Sequence, residues 1–342
     1  MKSKILPFIL ACAFSVTQYA PSMAIWNGTE TSSNSVVVPI MRQENGGAIQ
    51  CSGALIAPKI VVTAAHCAVD SNGIVSNQIT VGAPSSFKRL NTSTWSKVSS
   101  VKIISEYASN NNSKVSTGDL ALLTLETAYQ MTVPVRIASS TEISAMKNSG
   151  RTLRVLGYGA VDETGREKEY PQFIDGTFSK KSVDGLPNSS VVDFVDKSSC
   201  KGDSGGPVIA ITPQEIIYVG VFTGSNLGKN KYCSVPEADG TYYGVFELLH
   251  PYSNLILAAA TASIEKDVLA LSELKAEISA NEEKIWQLES QIISQQEEIA
   301  DLKAKLDKFA LSSVKKVVCV GKTKTITLKA GKSTCPTGFK RK

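Results

Sequence analysis

The hydrophobic pattern of the chain changes period once, after His250-Pro251, and this change limits the possible folds more than any other feature. From Leu257 an apolar residue recurs at every seventh position through Leu306. The companion positions run from Ala260 to Phe309, and eight such heptads predict a coiled coil over residues 255–311. The chain therefore cannot be one globular domain throughout.

The heptads favour self-association over a single helix lying on the preceding domain. Such a helix would run about 80 Å at 1.5 Å per residue, far past any domain it could cover. Ile at a and Leu at d positions favour two parallel helices. Between two such helices, Lys284 of one attracts Glu289 of the other, whereas Glu277 repels Glu282. We expect a homo-oligomer whose register is set by three polar d residues: Asp267, Asn281 and Gln295.

Residues 25–254 have a different pattern, with many short Val, Ile and Thr runs between Gly, Asn, Ser and Pro clusters. Examples are 60–62, 101–104, 120–125 and 216–222. Short strands with frequent turn signals predict an all-β barrel or sandwich.

The first 24 residues predict a signal peptide. Lys2 and Lys4 precede an apolar core over residues 5–16, and Ser22-Met23-Ala24 supplies a small-x-small cleavage site. A buried N-terminal strand or helix would explain neither the lysines nor that spacing. The core is too short to span a bilayer, and no later stretch has about 18 unbroken apolar residues. We expect a secreted, extracellular protein without a transmembrane segment.

The net charge of +5 is unevenly distributed along the chain. Residues 25–254 carry 19 basic and 20 acidic side chains, which argues against a nucleic-acid groove in this domain. Residues 312–342 carry nine basic side chains and no acidic one. Two short alternating runs and two cysteines predict a stapled hairpin there. This basic tail predicts attachment to an anionic cell-surface polymer, such as the cell wall, and a purely solubilising tail is the alternative.

Three segments place reactive side chains among small residues: Thr63-Ala64-Ala65-His66-Cys67, Thr117-Gly118-Asp119 and Gly202-Asp203-Ser204-Gly205-Gly206-Pro207. Acyl transfer from a serine needs a base, a carboxylate that orients the base, and N–H donors for the oxyanion. The one other histidine, His250, precedes a proline and has no comparable surroundings. Asp70 is nearer His66 in sequence but lies in a stretch typical of a solvated turn.

In their His, Asp, Ser order, these segments resemble the trypsin/chymotrypsin-like serine proteases over residues 25–255. The resemblance implies a double six-stranded antiparallel β-barrel that cleaves protein or peptide substrates. It implies His66 as general base, Asp119 as its orienting carboxylate and Ser204 as nucleophile. The backbone N–H groups of Gly202 and Ser204 would form the oxyanion hole. A catalytically silent binding module on the same fold would predict a replaced member of this triad, and none is replaced.

The resemblance also gives a role to the first residues after the leader. Cleavage after Ala24 would free the amine of Ile25, which in this family pairs with the aspartate before the nucleophile, here Asp203. The alternative is an ordinary first strand.

The family pattern further implies the disulfides Cys51–Cys67 and Cys200–Cys233. Because Cys12 would be lost with the leader, Cys319 and Cys335 are the remaining pair.

Substrate preference depends on the pocket that the resemblance places around Ser198, Thr223, Ser225 and Gly240. Ser198 lies six residues before the nucleophile, where an aspartate would select Lys or Arg, so we expect an uncharged apolar side chain before the scissile bond. Asp196 leaves a tryptic preference as the alternative.

The chain has only two histidines, which excludes a multi-histidine metal site, and residues 71–105 contain no acidic side chain that could form a calcium loop. We expect neither metal nor cofactor.

Overall fold

The computed structural model describes residues 25–31, 36–44, 47–70, 72–84, 95–104, 107, 118–131, 135–166, 170–227, 231–313, 318–328 and 334–342. The predicted signal peptide lies outside these residues. The chain divides into two compact units, Met1–Glu265 and Lys266–Lys342.

In chain order the strands of the first unit are β1 (Thr29–Glu30), β2 (Val37–Glu44), β3 (Gly47–Ala57), β4 (Ile60–Thr63), β5 (Ile79–Val81), β6 (Ser96–Ile103), β7 (Ala121–Leu125), β8 (Val135–Ile137), β9 (Thr152–Gly157), β10 (Gln172–Phe178), β11 (Ser189–Phe194), β12 (Pro207–Ile211), β13 (Ile216–Ser225) and β14 (Tyr242–Leu248). Helix α1 spans Ser140–Ser149 and α2 spans Ser253–Ser313.

The strands form two closed barrels, which confirms the predicted fold class. The first closes in the order β2-β3-β4-β7-β6-β5. The second has the strand order β9-β10-β11-β14-β13-β12, and the pairing of β12 with β9 closes this six-stranded ring. Two short strands lie outside this ring, since β1 pairs with β10 and β8 runs parallel to β13.

Each barrel has its own apolar core, built by strands whose side chains alternate between inside and outside. In β10 the buried positions are Gln172, Ile174, Gly176 and Phe178, every second residue. The two barrels are also bonded to each other, because the buried Tyr218 hydroxyl of β13 donates to the Leu55 carbonyl of β3 at 2.8 Å.

Helix α2 begins inside the first unit. Ile256 is fully buried in a core cluster that combines first-barrel residues with residues such as Tyr218 and Leu249, and Ala259 and Ala260 pack against that cluster. The boundary predicted between residues 254 and 255 therefore lies within the helix, and the compact unit continues to Glu265. The heptad positions beyond it are exposed in the single chain.

The second unit contains the rest of α2 and a small sheet of β15 (Val318–Val320), β16 (Thr325–Thr327) and β17 (Lys340–Arg341). The first two strands form the predicted hairpin, and β17 adds to it in antiparallel orientation. Neither helix of the described residues has an apolar stretch long enough to cross a membrane.

Candidate active site

His66 lies in a single 3-10 turn, Ala65–Cys67, directly after β4. The turn is attached to β3 by the disulfide between Cys51 and Cys67. About a third of the His66 side chain, 35%, is exposed. The imidazole is therefore held by buried chain on one side and accessible on the other.

Asp119 lies next to His66 because of strand pairing. It precedes β7, and β7 pairs antiparallel with β4 so that Thr63 faces Ala121. The Asp119 side chain is 3% exposed. Its Oδ2 lies 2.7 Å from His66 Nδ1, and its Oδ1 accepts the His66 backbone N–H at 2.9 Å. One carboxylate thus fixes both the ring and the backbone of the histidine.

The Asp119 carboxylate also sets the charge of the imidazole. Burial lowers the pKa of His66, but attraction and hydrogen bonding to Asp119 outweigh burial, so the pKa stands above its ordinary value of 6.5. Arg42 is a positively charged neighbour that opposes this rise. Because its pKa is raised, His66 accepts a proton more readily than a free imidazole, and its neutral, catalytically competent form is favoured at higher pH than in a free imidazole.

Ser204 lies in a loop that is bonded to the first barrel. The Ser52 backbone N–H donates to the Ser204 carbonyl at 2.8 Å, and the Ser52 hydroxyl donates to the Gly202 carbonyl at 2.8 Å. At Gly205 the backbone has φ +83°, and a side chain there would overlap Thr63 and Ser52. The Gly-rich sequence around the serine is thus required by close packing against β3 and β4.

Some backbone N–H groups of this loop donate hydrogen bonds to protein carbonyls, and others do not. The N–H groups of Asp203, Gly205 and Gly206 donate to backbone carbonyls. Within the described part of the chain, those of Gly202 and Ser204 donate to no protein acceptor. Gly202 has φ +99° and packs against the Cα of Gly159, so the loop leaves two N–H groups available for a developing oxyanion.

One cleft of about 360 Å³ brings His66, Gly202 and Ser204 together. Of the predicted pocket residues Ser225 lines it, whereas Thr223 is buried and donates to the Val245 carbonyl at 3.1 Å. Several other lining residues carry no recognisable sequence signal, because only the pairing of loops and strands brings them to the cleft: Gln50, Lys201, Phe222, Leu227 and Tyr232.

Gly240 is not a lining residue of this cleft. It lies in an exposed turn, where its N–H donates to the Glu237 carbonyl at 3.0 Å. The glycine opposite Ser225 is Gly244, because β13 and β14 pair with these two residues in register. Strand register thus puts Gly244, and not Gly240, opposite Ser225.

Ser198 is fully buried, and its backbone N–H donates to the Trp26 carbonyl at 3.2 Å. Its hydroxyl has no hydrogen-bond partner among the described residues. The neighbouring Ser199 lies 3.2 Å from the Ser234 hydroxyl, which in turn bonds the Ser225 hydroxyl. Uncharged hydroxyls therefore connect the segment of Ser198 to the pocket wall.

Ile25 and Asp203 are both fully buried and contact neighbouring residues of one segment. The Ile25 nitrogen donates to the Ala160 carbonyl at 3.2 Å. The Asp203 carboxyl accepts N–H groups of Gly159 and Cys200 at 2.9 and 2.7 Å. Burial raises the pKa of Asp203 to about 7, and these two hydrogen bonds only partly offset that rise.

Six of the cysteines form three disulfides: Cys51–Cys67 and Cys200–Cys233, the pairs that the family resemblance implies, and Cys319–Cys335, the pair that then remains. Among the described residues one His/Cys/acid cluster has a spacing suited to a metal ion, namely Cys51, His66 and Cys67. Its two sulfurs are joined to each other, so they do not offer the thiolates that a metal would need.

Comparisons with known proteins agree with this geometry. A family model described as Trypsin matches residues 25–256. Trypsin of Saccharopolyspora erythraea is 30% identical over 172 residues, which cover 46% of this chain and 70% of that protein. Alpha- and beta-fibrinogenase stejnefibrase-1 of Trimeresurus stejnegeri is 27% identical over 233 residues, 64% of this chain and 81% of that protein. The chain thus belongs to the trypsin family and is a trypsin-like serine endopeptidase.

Proposed function

We propose that the chain cleaves peptide bonds through a covalent acyl-enzyme, with Ser204 as nucleophile, His66 as general base and Asp119 as the orienting carboxylate. The observation that carries the proposal is the contact between the buried Asp119 carboxylate and the partly exposed His66 imidazole, at a cleft that Gly202 and Ser204 also line.

Each residue has a defined task in this reaction. The Ser204 Oγ proton passes to His66 Nε2 as Oγ bonds to the substrate carbonyl carbon, and the resulting oxyanion accepts the N–H groups of Gly202 and Ser204. The protonated His66 then donates to the leaving amine as the C–N bond breaks. Water adds to the acyl-enzyme by the same route and releases the acid. Throughout, Asp119 holds Nδ1–H and stabilises the imidazolium.

Labelling by a fluorophosphonate tests this assignment, because the reagent bonds only to an activated serine. We expect the processed wild-type protein to be labelled and the Ser204→Ala variant to remain unlabelled, with turnover lower by about 10⁴-fold or more. A wild-type protein that folds and is not labelled would instead favour the catalytically silent binding module.

We further propose a preference for an uncharged apolar side chain before the scissile bond. No described residue that lines the cleft is an aspartate or glutamate, and the apolar residues Ile49 and Leu227 are among those that line it. Ser198, where an aspartate would select Lys or Arg, has an uncharged hydroxyl that is fully buried and is not itself among the residues that line the cleft. Asp196, the basis of the tryptic alternative, is exposed and is absent from the cleft lining.

Paired chromogenic peptides ending in Phe, Leu or Arg measure this preference. We expect kcat/KM for Phe or Leu to exceed that for Arg by about tenfold or more, since an arginine would be desolvated without a partner charge. A higher kcat/KM for Arg would show that a carboxylate enters the pocket during binding, with Asp196 as the first candidate.

The activity is proposed to begin when the leader is removed and Ile25 becomes the first residue. The buried positions of Ile25 and Asp203 on the segment Gly159–Ala160 support a pairing of the new amine with that carboxylate. Three disulfides agree with an oxidising, extracellular location.

A further inference from the structure

Arg42 is a buried cation on β2 that contacts the backbone of the histidine turn. Only 5% of the residue is exposed. Its Nη2 lies 2.9 Å from Oε1 of Glu44, and Nη1 donates to the backbone carbonyl of His66 at 3.1 Å. Burying a guanidinium is unfavourable unless it is paired and hydrogen-bonded, so this placement calls for a role.

Arg42 donates a hydrogen bond to a backbone carbonyl that has no partner within the short turn. The Ala64 carbonyl accepts the Cys67 N–H, and the Ala65 carbonyl accepts the Ala68 N–H. A single turn leaves its later carbonyls without helical partners, and the His66 carbonyl is one of these. The turn is therefore secured at the His66 N–H by Asp119 and at the His66 carbonyl by Arg42.

We propose that Arg42 is a positioning residue for catalysis, which fixes the backbone of the general base and places a positive charge near its imidazole. The inference rests on the proposed role of His66. Glu44, two residues along the same strand, orients the guanidinium so that it reaches the turn.

The charge of Arg42 acts against that of Asp119. Several charged groups surround this arrangement: Asp119 before β7, Arg42 and Glu44 on β2, Asp70 after the turn, and Glu247 on β14, which interacts with Asp119. Asp119 raises the pKa of His66 and Arg42 lowers it. Because catalysis needs neutral His66, Arg42 extends activity towards lower pH.

Two substitutions separate the hydrogen bond from the charge. Arg42→Met removes both, and we expect kcat per active site to fall by about tenfold, with the acid limb of the kcat/KM profile moved to higher pH. Arg42→Lys keeps the charge, but its single ammonium cannot bind Glu44 and the His66 carbonyl with the same geometry. This variant should lose turnover while its acid limb stays near that of the wild type.

Arg154→Met is the matched control. Arg154 lies on β9, is paired with Asp175 at 2.8 Å and stacks on Phe173, but it does not line the cleft. Its kcat and pH profile should equal those of the wild type. Active sites are counted by fluorophosphonate labelling in every sample, so misfolded protein does not contribute to kcat.

The outcomes are distinct. If both Arg42 variants keep wild-type kcat per labelled site and an unmoved acid limb, Arg42 serves folding alone and the proposal is overturned. If Arg42→Met does not fold, kcat per labelled site of Arg42→Lys decides. A wild-type protein that cannot be labelled would refute the proposed function instead, before any variant is compared.

Discussion

At the scale of single residues, the protonation of the buried Asp203 carboxyl links the stability of the fold to the proposed activation by the Ile25 amine. Its pKa of about 7 lies above the ordinary value of 3.8, so the folded chain binds this proton more tightly than the unfolded chain does. Between these two pH values the folded state therefore loses stability as pH rises. A free Ile25 amine beside the carboxylate would remove that loss.

The raised pKa of Asp203 predicts that stability depends differently on pH in two forms of the protein, both with Ser204→Ala to prevent self-cleavage. With one extra residue before Ile25, the free energy of unfolding should fall by up to about 4 kcal/mol between about pH 4 and pH 7. The form that begins at Ile25 should show little of this fall. Urea unfolding at several pH values measures it.

Asp203→Asn is the control, because in the extended form it removes the titrating group and should flatten the same pH range. The two forms with intact Ser204 complete the test. Equal activity with and without the extra residue would contradict activation by the Ile25 amine, and Ile25 would then serve only as a buried residue of the core.

At the scale of elements, the sequence predicts those parts of the site that local motifs specify. The histidine and serine loops are recognisable because close packing requires small residues, as at Gly205. The approach of Asp119 to His66 follows from pairing of β4 with β7, which a strand pattern alone does not specify. The same limit explains Gly240, since only the register of β13 and β14 identifies Gly244 as the residue facing Ser225.

Helix α1 has sequence signals at both ends from which its bounds could have been predicted. Ser139 and Glu142 form a capping box, and Gly150 ends the helix with φ 64°. Arg42 carries no such signal, because its contact with the His66 carbonyl joins parts of the chain 24 residues apart. Local sequence rules identify helix ends, whereas a lone arginine on a strand acquires its role only when the barrel closes.

At the scale of the whole molecule, the long helix exposes an apolar seam that a single chain does not cover. Ile278, Ile285 and Ile292 at successive a positions are about half exposed. A second copy of the chain is the occupant that the heptads favour, since the g and e charges include attractive pairs such as Lys284 and Glu289. An oligomer would also present several basic tails to an anionic surface polymer at once.

Adjacent residues provide a sharp test of this oligomer. Ile285→Lys places like charges inside the seam, whereas Trp286→Lys changes a residue that is 67% exposed and lies off the seam. In full chains carrying Ser204→Ala, we expect Ile285→Lys to raise the dissociation constant by about tenfold or more in sedimentation equilibrium, and Trp286→Lys to leave it unchanged.

The same samples test the tail on a column of anionic polymer. If several tails bind together, Ile285→Lys should elute at lower salt than Trp286→Lys, because the dissociated chain has lost avidity while both variants carry the same added charge. A wild-type protein that sediments as a single chain would rule out the oligomer. Elution that does not depend on salt would leave the basic residues with a solubilising role alone.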